Sequence, residues 1–433
     1  MHDTDLFALQ GKADEYDSLA QHQPARKRNI EALVSFFRAG CKRDSRDVGI
    51  ELEHFLVDGT GEPLSYSQPH GVRDILTGLS ERYPQVTMHN GDILGVAKPG
   101  MNVTIEPAAQ LELSAGPFRS LDTARRVFDE FESDVARELE PVSGKSLAIG
   151  YDPACRAVDK ELIPKARYEF MNEYLSAISP WGPRMMRASA STQVSIDYRD
   201  EKDCVKKMRV ASVLAPLFAL VCDNAAVFEG GPRPHRLMRT EVWKYCDPDR
   251  CNTPPHVLDD DFGFESYAEY ILDTPAIVRV DDAGEAHYDP RTFGEIYANT
   301  PMNRANVEHA LSMVFPDVRL KTYVEIRPAD SMPTPYAIAY AALIKGLFYC
   351  DECLEVLHAS CENVTLEDIW RAKESLMENG YRGKAYGRNV DEICDEMFSL
   401  ARRGLNAIAP HEKDYLEPLA KLVAARTTLA DLS

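Results

Sequence analysis

The stretch Lys321-Thr-Tyr-Val-Glu-Ile-Arg327 alternates along its whole length. One parity carries Lys321, Tyr323, Glu325 and Arg327, and the other carries Leu320, Thr322, Val324 and Ile326. A period of two is typical of a β-strand, whose successive side chains point to opposite faces of a sheet. We therefore predict a strand with an apolar face that packs on helices and a polar face with two cations, a phenol and a carboxylate. Taken alone, this polar face is equally that of an ordinary half-buried strand facing water.

Three more stretches repeat the same pattern. They are Gly49-Ile-Glu-Leu-Glu-His-Phe55, Gln110-Leu-Glu-Leu-Ser114 and Ser191-Thr-Gln-Val-Ser-Ile-Asp197, with Glu106 four residues before the second. Residues i and i+2 on one strand face lie ~7 Å apart. If the polar faces converge, they form a bowl of carboxylates that repel one another unless a cation lies between them. Oxygen ligands of this kind suit Mg²⁺ or Mn²⁺.

Composition excludes several classes of protein. The chain has 433 residues, enough for a large core, and its net charge of −20 argues against nucleic acid as a partner. A membrane-spanning apolar run is missing, and the polar start, residues 1–23, argues against a secretory signal. These features predict no membrane partner and leave the oligomeric state open.

The ten cysteines are irregularly spaced, which is typical of a reduced cytosolic protein and predicts a cytoplasmic location. Cys350 and Cys353 form the one C-x-x-C pair and lie in an apolar run with helical character. Packing in the core explains them better than redox or metal chemistry, since a second such pair is missing.

Strands and helices mix through the first three quarters of the chain, and helices close it. This order predicts an α+β fold with a mainly antiparallel sheet. We expect a polar leader over 1–23 and a single catalytic domain over 24–433, whose helical part begins at about 334. The predicted strands are 48–57, 103–106, 110–114, 145–151, 190–198 and 320–327. The predicted helices are 27–39, 71–82, 120–139, 165–177, 202–228, 337–357, 365–378, 390–407 and 413–430.

Two long connections, 229–265 and 276–300, are predicted as irregular segments, and long loops in compact domains tend to be functional. The first contains Arg239-Thr-Glu-Val-Trp243. Glycine-rich phosphate-binding patterns are missing from the sequence. If the protein uses a nucleotide, metal ions and side chains must therefore hold it.

Five motifs now resemble those of one family, the plant and proteobacterial type of glutamate–cysteine ligase. They occur in the family's order over residues 45–350. In this sequence they are Gly49–Phe55, Ile105–Ser114, Thr192–Asp197, Asp260–Phe264 and Phe315–Arg327. Five ordered motifs are a specific signal, whereas a single Glu-x-Glu on a strand is more often a solvated face.

The resemblance implies a fold similar to the catalytic sheet of glutamine synthetase, a curved, mainly antiparallel sheet funnel ringed by helices. It also implies ligation of the γ-carboxylate of L-glutamate to the amine of L-cysteine, the first step of glutathione synthesis, with ATP as co-substrate. A carboxylate is a poor acylating agent, so it must first become a γ-glutamyl phosphate. Phosphoryl transfer to it needs positioning and charge neutralisation, which Mg²⁺ or Mn²⁺ supplies.

The resemblance also assigns the site residues. The metal shell it implies is Glu51, Glu53, Glu106, Glu112, Gln193 and Glu325, with Gln193 where related families place a histidine. Arg327, next to Glu325, would stabilise the transferring phosphoryl group, and Lys321 would bind nucleotide phosphate. Arg239 would bind the α-carboxylate of glutamate, because its planar fork suits a carboxylate. Arg167 and Tyr323 complete the substrate- and ATP-binding set, with simple packing as the alternative for Tyr323.

Two departures from the family pattern keep an alternative open. Ser195 replaces a more usual asparagine, and Pro328-Ala-Asp330 replaces a glycine-containing turn. Both lie near the substrate end, so a related carboxylate–amine ligase with another acceptor amine is the second hypothesis. A non-catalytic relative that keeps the fold is the third, and the intact acidic set argues against it.

Overall fold

The computed structural model describes residues 25–433 except Asp282, so the predicted polar leader over 1–23 lies outside the described residues. The chain begins with α1 (Ala25–Ala39), β1 (Val48–Val57), α2 (Val72–Leu79), β2 (Gln85–His89), β3 (Asp92–Lys98), β4 (Met101–Ile105), β5 (Leu111–Phe118) and α3 (Leu121–Leu139). It continues with β6 (Lys145–Leu147), α4 (Ala166–Ile178), α5 (Trp181–Ala188), β7 (Thr192–Ile196), α6 (Glu201–Val221), β8 (Val227–Phe228), β9 (Gly231–Pro232), α7 (Met238–Lys244) and β10 (Cys251–Asn252).

The second half contains α8 (Phe264–Asp273), β11 (Pro275–Val280), β12 (Ala286–Thr292), α9 (Phe293–Ile296), α10 (Arg304–Leu311), β13 (Phe315–Pro316), β14 (Val318–Leu320) and β15 (Val324–Ile326). Helices then dominate, with α11 (Thr334–Phe348), α12 (Asp351–Ser360), α13 (Leu366–Asn379), β16 (Lys384–Ala385), β17 (Arg388–Asn389), α14 (Val390–Ile408) and α15 (Glu417–Ala424). Short 3-10 helices lie at Glu140–Val142, Ala157–Asp159, Gly380–Arg382, Pro410–Leu416 and Leu429–Asp431.

The main sheet is open and antiparallel, with the strand order β14-β15-β7-β1-β5-β4-β3-β2 and β6 paired to one end of β1. Its register brings polar side chains to one face. Glu53 lies opposite Glu112, Glu51 lies opposite Gln193, and Glu325 lies opposite Ser195. Directly paired residues on neighbouring strands share a face. The convergence predicted from alternation is therefore a property of this sheet.

The other face of the sheet is apolar and covered by helices. Ile50 and Leu52 of β1 are buried, as are Val194 of β7 and Ile326 of β15. Helix α11 packs against β1 and β7, and α3 packs against β5. Ser120 caps α3 as predicted, since its hydroxyl accepts from the Asp122 amide. The predicted α+β class with a mainly antiparallel sheet is confirmed.

The stretch 321–327, predicted as one strand, is a hairpin. Strand β14 ends at Leu320, β15 begins at Val324, and the two pair with each other in antiparallel fashion. The residues between them form the turn, in which the Lys321 amide donates to the Tyr323 carbonyl at 2.8 Å. Alternation did not reveal the reversal, because glycine, proline and asparagine, which usually mark a turn, are missing from this one.

Several other elements differ from prediction. Strand β2 is largely exposed and lacks a clear apolar alternation, so the β2–β3 hairpin was missed. Helix α6 ends at Val221 rather than at 228, and the predicted helix 337–357 is two helices, α11 and α12. The connections 229–265 and 276–300 contain α7, β11 and β12. Short elements in polar sequence carry too little periodicity to be found from sequence alone.

All ten cysteines are free thiols, and eight of them are buried, Cys350 and Cys353 included. Burial of the pair agrees with a packing role. Among the described residues, no helix combines the length and the apolar character needed to cross a membrane.

Candidate active site

A cavity of about 210 Å³ opens at the polar face of the sheet. Most of the predicted site residues line it, namely Glu51, Glu53, Glu106, Glu112, Arg167, Gln193, Arg239 and Arg327. Glu325 lies beneath it, fully buried, and Lys321 and Tyr323 lie at the hairpin turn beside it. The structure thus brings together side chains from β1, β5, β7, α4, α7 and the β14–β15 hairpin.

The glutamates of the cavity are electrostatically strained. Burial, followed by the neighbouring Glu325 and Glu112 carboxylates, raises the pKa of Glu51 to about 8. Burial, then the Glu112 carboxylate, likewise raises the pKa of Glu53 and holds that of Glu106 well above its ordinary value. Each of these groups gains from a nearby positive charge, because a cation favours the ionised form.

Glu53 is fixed in place by β7. The Ser191 amide and hydroxyl donate to its two oxygens at 2.8 and 2.7 Å. The side-chain amide of Gln193 donates to Glu53 Oε1 at 3.1 Å. These bonds orient the carboxylate toward the cavity and limit the free lone pairs left for a ligand.

Glu325 is surrounded by cations. Its Oε2 accepts from Arg319 Nε at 2.7 Å and from Arg327 Nη1 at 3.0 Å, and its Oε1 accepts from Lys321 Nζ at 2.9 Å. Burial alone would raise the pKa of Glu325, but these three cations hold it well below its usual range. Both carboxylate oxygens of Glu325 thus accept hydrogen bonds, and these bonds orient the side chains of Arg319, Lys321 and Arg327. The role of Glu325 as a metal ligand stays a prediction.

Gln193 joins two parts of the site. Its Oε1, the atom that a metal would use, accepts a hydrogen bond from Arg327 Nη1, while its Nε2 donates to Glu53. Gln193 therefore fixes the position of the Arg327 side chain relative to that of Glu53.

Arg239 and Arg327 share the ring of Trp243. Arg239 is buried and donates from Nη1 to the Arg327 carbonyl at 2.9 Å. The two guanidinium groups lie 5.6 and 5.8 Å from the centre of the Trp243 ring. The Trp243 indole N–H is buried beside the cavity and has no hydrogen-bond partner among the described residues. Two cations and an available donor make this corner suitable for a carboxylate.

Arg167, in α4, lines the same cavity. Its Nη2 donates to the carbonyl and the hydroxyl of Ser312, both at 3.0 Å. Neighbouring Tyr168 also lines the cavity, and burial followed by the nearby Glu106 raises the pKa of its phenol. The phenol is thus kept protonated as a possible donor.

Sequence reasoning missed Trp243, Arg319 and Tyr168 as residues of the cavity. Trp243 lies four residues after Arg239 in the stretch Arg239–Trp243. In a helix this spacing puts both side chains on one face, but the helix α7 was not predicted. Arg319 lies inside the fifth motif, directly opposite Glu325 in the hairpin. A recognised turn at 321–323 would have revealed it.

A second cavity, of about 350 Å³, lies on the other side of Glu51. It is lined by Lys42, Asp47, Gly49, Ile50, Glu51, Ser114, Ala115, Gly116, Pro117, Ser195, Asp197, Thr322 and Tyr323. Lys321 Nζ lies 3.3 Å from the Tyr323 hydroxyl and so stands at the boundary between the two cavities. Glu51 lines both cavities. None of the ten cysteines is among the residues that line either one.

The carboxylates of the cavity can contribute to a site for a divalent cation but do not complete one. Within the described part of the chain, no three carboxylate, imidazole or thiol side chains converge to hold a metal ion by themselves. Mg²⁺ rarely needs such a cage, because it uses one or two carboxylates together with water and substrate phosphates. Burial and neighbouring carboxylates raise the pKa values of Glu51 and Glu106, and a cation in the cavity would favour their ionised forms. The donor set therefore fits Mg²⁺ or Mn²⁺ completed by phosphate oxygens.

Comparisons with known proteins agree on one group. A family model described as glutamate–cysteine ligase family 2 matches residues 47–431. Glutamate–cysteine ligase B, chloroplastic, of Oryza sativa subsp. japonica is 28% identical over 416 residues, which cover 93% of this chain and 82% of the relative. The chloroplastic glutamate–cysteine ligase of Arabidopsis thaliana is 28% identical over 411 residues, covering 93% of this chain and 78% of the relative.

A solved structure shares the fold. The glutamate–cysteine ligase of Francisella tularensis, in complex with AMP, superposes with a TM-score of 0.54 at 11% sequence identity, covering 89% of this chain and 83% of that one. The predicted fold class is confirmed by this likeness. The prediction of a cytoplasmic location is wrong by the same comparisons, since the plant relatives are described as chloroplastic.

Proposed function

The chain belongs to the glutamate–cysteine ligase family 2, and we propose that it joins the γ-carboxylate of L-glutamate to the amine of L-cysteine while ATP is cleaved to ADP and phosphate. The family match over 47–431 and the plant relatives with that name support this activity. The observation that carries it is the sheet register, which gathers acids and arginines from distant parts of the chain around one cavity.

The two cavities suggest how the substrates divide. We place glutamate in the cavity with the arginines and ATP in the cavity on the far side of Glu51. In this arrangement the γ-carboxylate of glutamate and the γ-phosphate of ATP meet beside Glu51. The AMP bound to the Francisella tularensis neighbour supports a nucleotide site in this fold.

Arg239, Trp243 and Arg167 suit the amino-acid end of glutamate. The planar fork of Arg239 can bind an α-carboxylate, and the free indole N–H of Trp243 can donate to the same anion. Binding there leaves the γ-carboxylate pointing toward the glutamates and Arg327. Charge thus fixes the direction of the substrate in the cavity.

Glu51, Glu53, Glu106 and Glu112 would hold Mg²⁺ or Mn²⁺, which when bound neutralises and orients the phosphate oxygens. Gln193 and Glu325 fit a different task in this geometry, since their oxygens bind Arg327, Arg319 and Lys321. We propose that Glu325 keeps Arg327 aimed at the transferring phosphoryl group and Lys321 at the nucleotide. Tyr323 lines the nucleotide cavity beside Lys321.

The reaction proceeds in two displacements. A γ-carboxylate oxygen of glutamate attacks the γ-phosphorus of ATP, the bond to the bridging oxygen breaks, and ADP leaves with that electron pair. Arg327 stabilises the charge on the equatorial oxygens during this transfer. The amine of cysteine then attacks the acyl carbon of γ-glutamyl phosphate, loses a proton and expels phosphate. One former carboxylate oxygen departs with the phosphate.

We place the acceptor amine beside the apolar part of the cavity that holds glutamate. Met171, Met185 and Met186 line the cavity, and thioether groups make a soft, polarisable and apolar surface. A small thiol packs well there, whereas the hydroxyl of serine would lose hydrogen bonds to water without replacement. This observation favours L-cysteine over other acceptor amines.

We further propose that residues 24–433 act as one catalytic domain. Helix α11 packs against β1 and β7 of the main sheet, and α14 packs against α11 in turn. The C-terminal helices therefore support the same sheet that carries the glutamates.

The test is ADP release by the purified chain with ATP, Mg²⁺, glutamate and a panel of amines. We expect the highest kcat/KM with L-cysteine, a lower value with L-2-aminobutyrate, which keeps the size but lacks the thiol, and the lowest with serine. A higher kcat/KM with another amine would move the assignment to the alternative, a carboxylate–amine ligase with a different acceptor. Absence of amine-dependent ADP release would support the non-catalytic hypothesis.

A further inference from the structure

The last residues of the chain bind the segment that leads into α7. Arg236 Nη1 donates to both oxygens of Asp431 at 2.8 and 2.9 Å. Arg233 Nη2 lies 3.5 Å from Asp431 Oδ1. These contacts join the C-terminal 3-10 helix, Leu429–Asp431, to a segment almost two hundred residues earlier in the chain. We call residues 233–237 the entry segment, because α7 follows directly.

A buried carboxylate strengthens the same connection. Asp223 is 0% exposed and accepts from Arg233 Nη1 at 2.8 Å on each oxygen. It also accepts from the Leu237 amide at 3.3 Å and from the Thr428 hydroxyl at 3.2 Å. The Asp223 carbonyl accepts from the Ala430 amide at 3.1 Å. One side chain thus holds both the entry segment and the C-terminus.

The entry segment ends in a strained residue. Leu237 has a φ of 54°, in the left-handed region that a leucine rarely adopts. A conformation of this kind is unfavourable for a leucine and persists only where the surroundings impose it. Two carboxylates impose this conformation. Asp223 accepts a hydrogen bond from the Leu237 amide, and Asp431 binds the neighbouring Arg236.

Leu237 sets the direction of α7, because the helix begins at Met238. Arg239 follows two residues after Leu237, and its Nη1 donates to the carbonyl of Arg327. Trp243 lies one helical turn further along and packs against both arginines. A misplacement of about 1 Å in such groups can cost on the order of a hundredfold in rate or binding.

We infer that Asp431 is a positioning residue, which acts through Arg236 and the strained Leu237 to aim Arg239 and Trp243 into the amino-acid cavity. This gives the C-terminal end of the chain a part in binding glutamate. The inference rests on the proposed function for its kinetic consequence, while its structural content, the hold on α7, stands apart from that activity.

The experiment compares Asp431→Ala with Asp395→Ala. Asp395 is a matched control, because it forms a similar two-pronged pair with Arg426 at 2.7 and 2.6 Å elsewhere in the C-terminal region. For Asp431→Ala we expect the KM for glutamate to rise about tenfold, whereas kcat and the KM for ATP should change little. This combination indicates weaker binding of glutamate with unchanged chemistry. For Asp395→Ala we expect all three constants to stay near wild type.

Hydrogen exchange of the free proteins supplies a readout that needs no activity. The amides of residues 237–244 should exchange faster in Asp431→Ala than in wild type or in Asp395→Ala. Asp431→Glu, which can still bind Arg236, should restore both the KM for glutamate and the slow exchange. If the wild-type chain showed no ligase activity, the proposed function would fail, and exchange in 237–244 would still decide whether Asp431 holds α7.

Three results would overturn the inference. One is exchange in 237–244 that is the same in Asp431→Ala and wild type. Another is faster exchange without a rise in the KM for glutamate. The third is an equal change of every kinetic constant in both alanine variants, which would indicate a general loosening of the C-terminal region.

Discussion

Four glutamates and four arginines face one small cavity, so charge balance governs each residue of this site. The arginines do not pair with the cavity glutamates one to one. Glu325, beneath the cavity, takes Arg319, Arg327 and Lys321, while Glu51 and Glu106 are left with raised pKa values. The residues thus separate into a cation-rich part, which we propose for anionic substrates, and an anion-rich part, which we propose for a metal ion.

Arg327→Lys is expected to lower kcat at least tenfold, about 1.4 kcal/mol of transition-state stabilisation. Arg327 reaches Gln193 and Glu325 from one guanidinium nitrogen and leaves the rest of its fork for phosphate, which a lysine cannot reproduce. Steady-state kinetics at saturating substrates measures the effect. Arg388→Lys, in an exposed pair with Glu396, serves as the control and should keep wild-type kcat. A near-normal kcat for Arg327→Lys would remove this residue from the mechanism.

Glu51→Gln tests whether the raised pKa of Glu51 makes the stability of the folded protein depend on pH. The pKa of Glu51 is raised from 4.5 to about 8 in the folded protein, so folding retains a proton that the unfolded chain loses. The stability contributed by this group is therefore full below pH 4.5 and is lost as pH rises through about 8. In EDTA, the Tm of wild type should fall from pH 5 to pH 8 more steeply than that of Glu51→Gln.

Added Mg²⁺ should reduce this difference, because a cation stabilises the ionised carboxylate of the wild type. The result can be read from thermal unfolding at several pH values. Parallel curves for wild type and Glu51→Gln would show that the Glu51 carboxyl is not the strained group.

At the scale of the element, the sheet register could be predicted and the turns could not. Alternation in 49–55, 110–114 and 191–197 correctly indicated a shared polar face, because a period of two follows directly from strand geometry. Alternation failed at Lys321–Tyr323, which form the turn of a hairpin. Odd-numbered residues lie on the same sheet face before and after this turn, and the turn lacks the usual turn residues.

The helix α7 shows the second limit of sequence reasoning. It is only seven residues long and lies between polar, proline-rich segments, so its periodicity is too short to be recognised. We infer that its contribution to the site depends on contacts with the C-terminal 3-10 helix, almost two hundred residues later in the chain. Arg239 was predicted from its chemistry, but Trp243 required the three-dimensional contact between them.

The β14–β15 hairpin gives a prediction for Lys321. The turn returns Lys321 Nζ to within 2.9 Å of Glu325 Oε1, beside the nucleotide cavity. Lys321→Ala should raise the KM for ATP about tenfold, since it removes the cation proposed to meet phosphate and leaves a buried carboxylate oxygen without that partner. Tyr323→Phe, which keeps the ring and loses only the hydroxyl, is the matched control and should change the KM for ATP by less than about threefold.

Initial rates at varied ATP and saturating glutamate and cysteine measure both variants. An unchanged KM for ATP in Lys321→Ala would place the nucleotide away from the hairpin, and an equal rise in both variants would assign the effect to the turn itself.

At the scale of the whole molecule, two cavities lie along the polar face of one sheet, and Glu51 lines both. The helices on its apolar face fix the strands, and the polar face remains open to substrates. We propose the division into an amino-acid side and a nucleotide side on the basis of charge, because arginines line the first cavity, whereas Lys42 lines the second and Lys321 lies beside it.

Metal removal tests this arrangement. Burial and neighbouring carboxylates raise the pKa values of Glu51, Glu53 and Glu106, so a bound cation should favour their ionised forms. Activity should therefore vanish in EDTA and return with added Mg²⁺ or Mn²⁺. Thermal unfolding should show a higher Tm with Mg²⁺ and ATP together than with either one, since phosphate oxygens complete the coordination. Full turnover in a metal-free assay would refute the metal assignment.

The central claim is that the γ-carboxylate of glutamate attacks ATP directly. Glutamate labelled with ¹⁸O in the γ-carboxylate, incubated with ATP, cysteine and the purified chain, tests it by mass spectrometry of the released phosphate. The account predicts that one labelled oxygen appears in each phosphate, because it leaves the acyl carbon when the amine displaces it. Formation of the dipeptide with unlabelled phosphate would contradict the account.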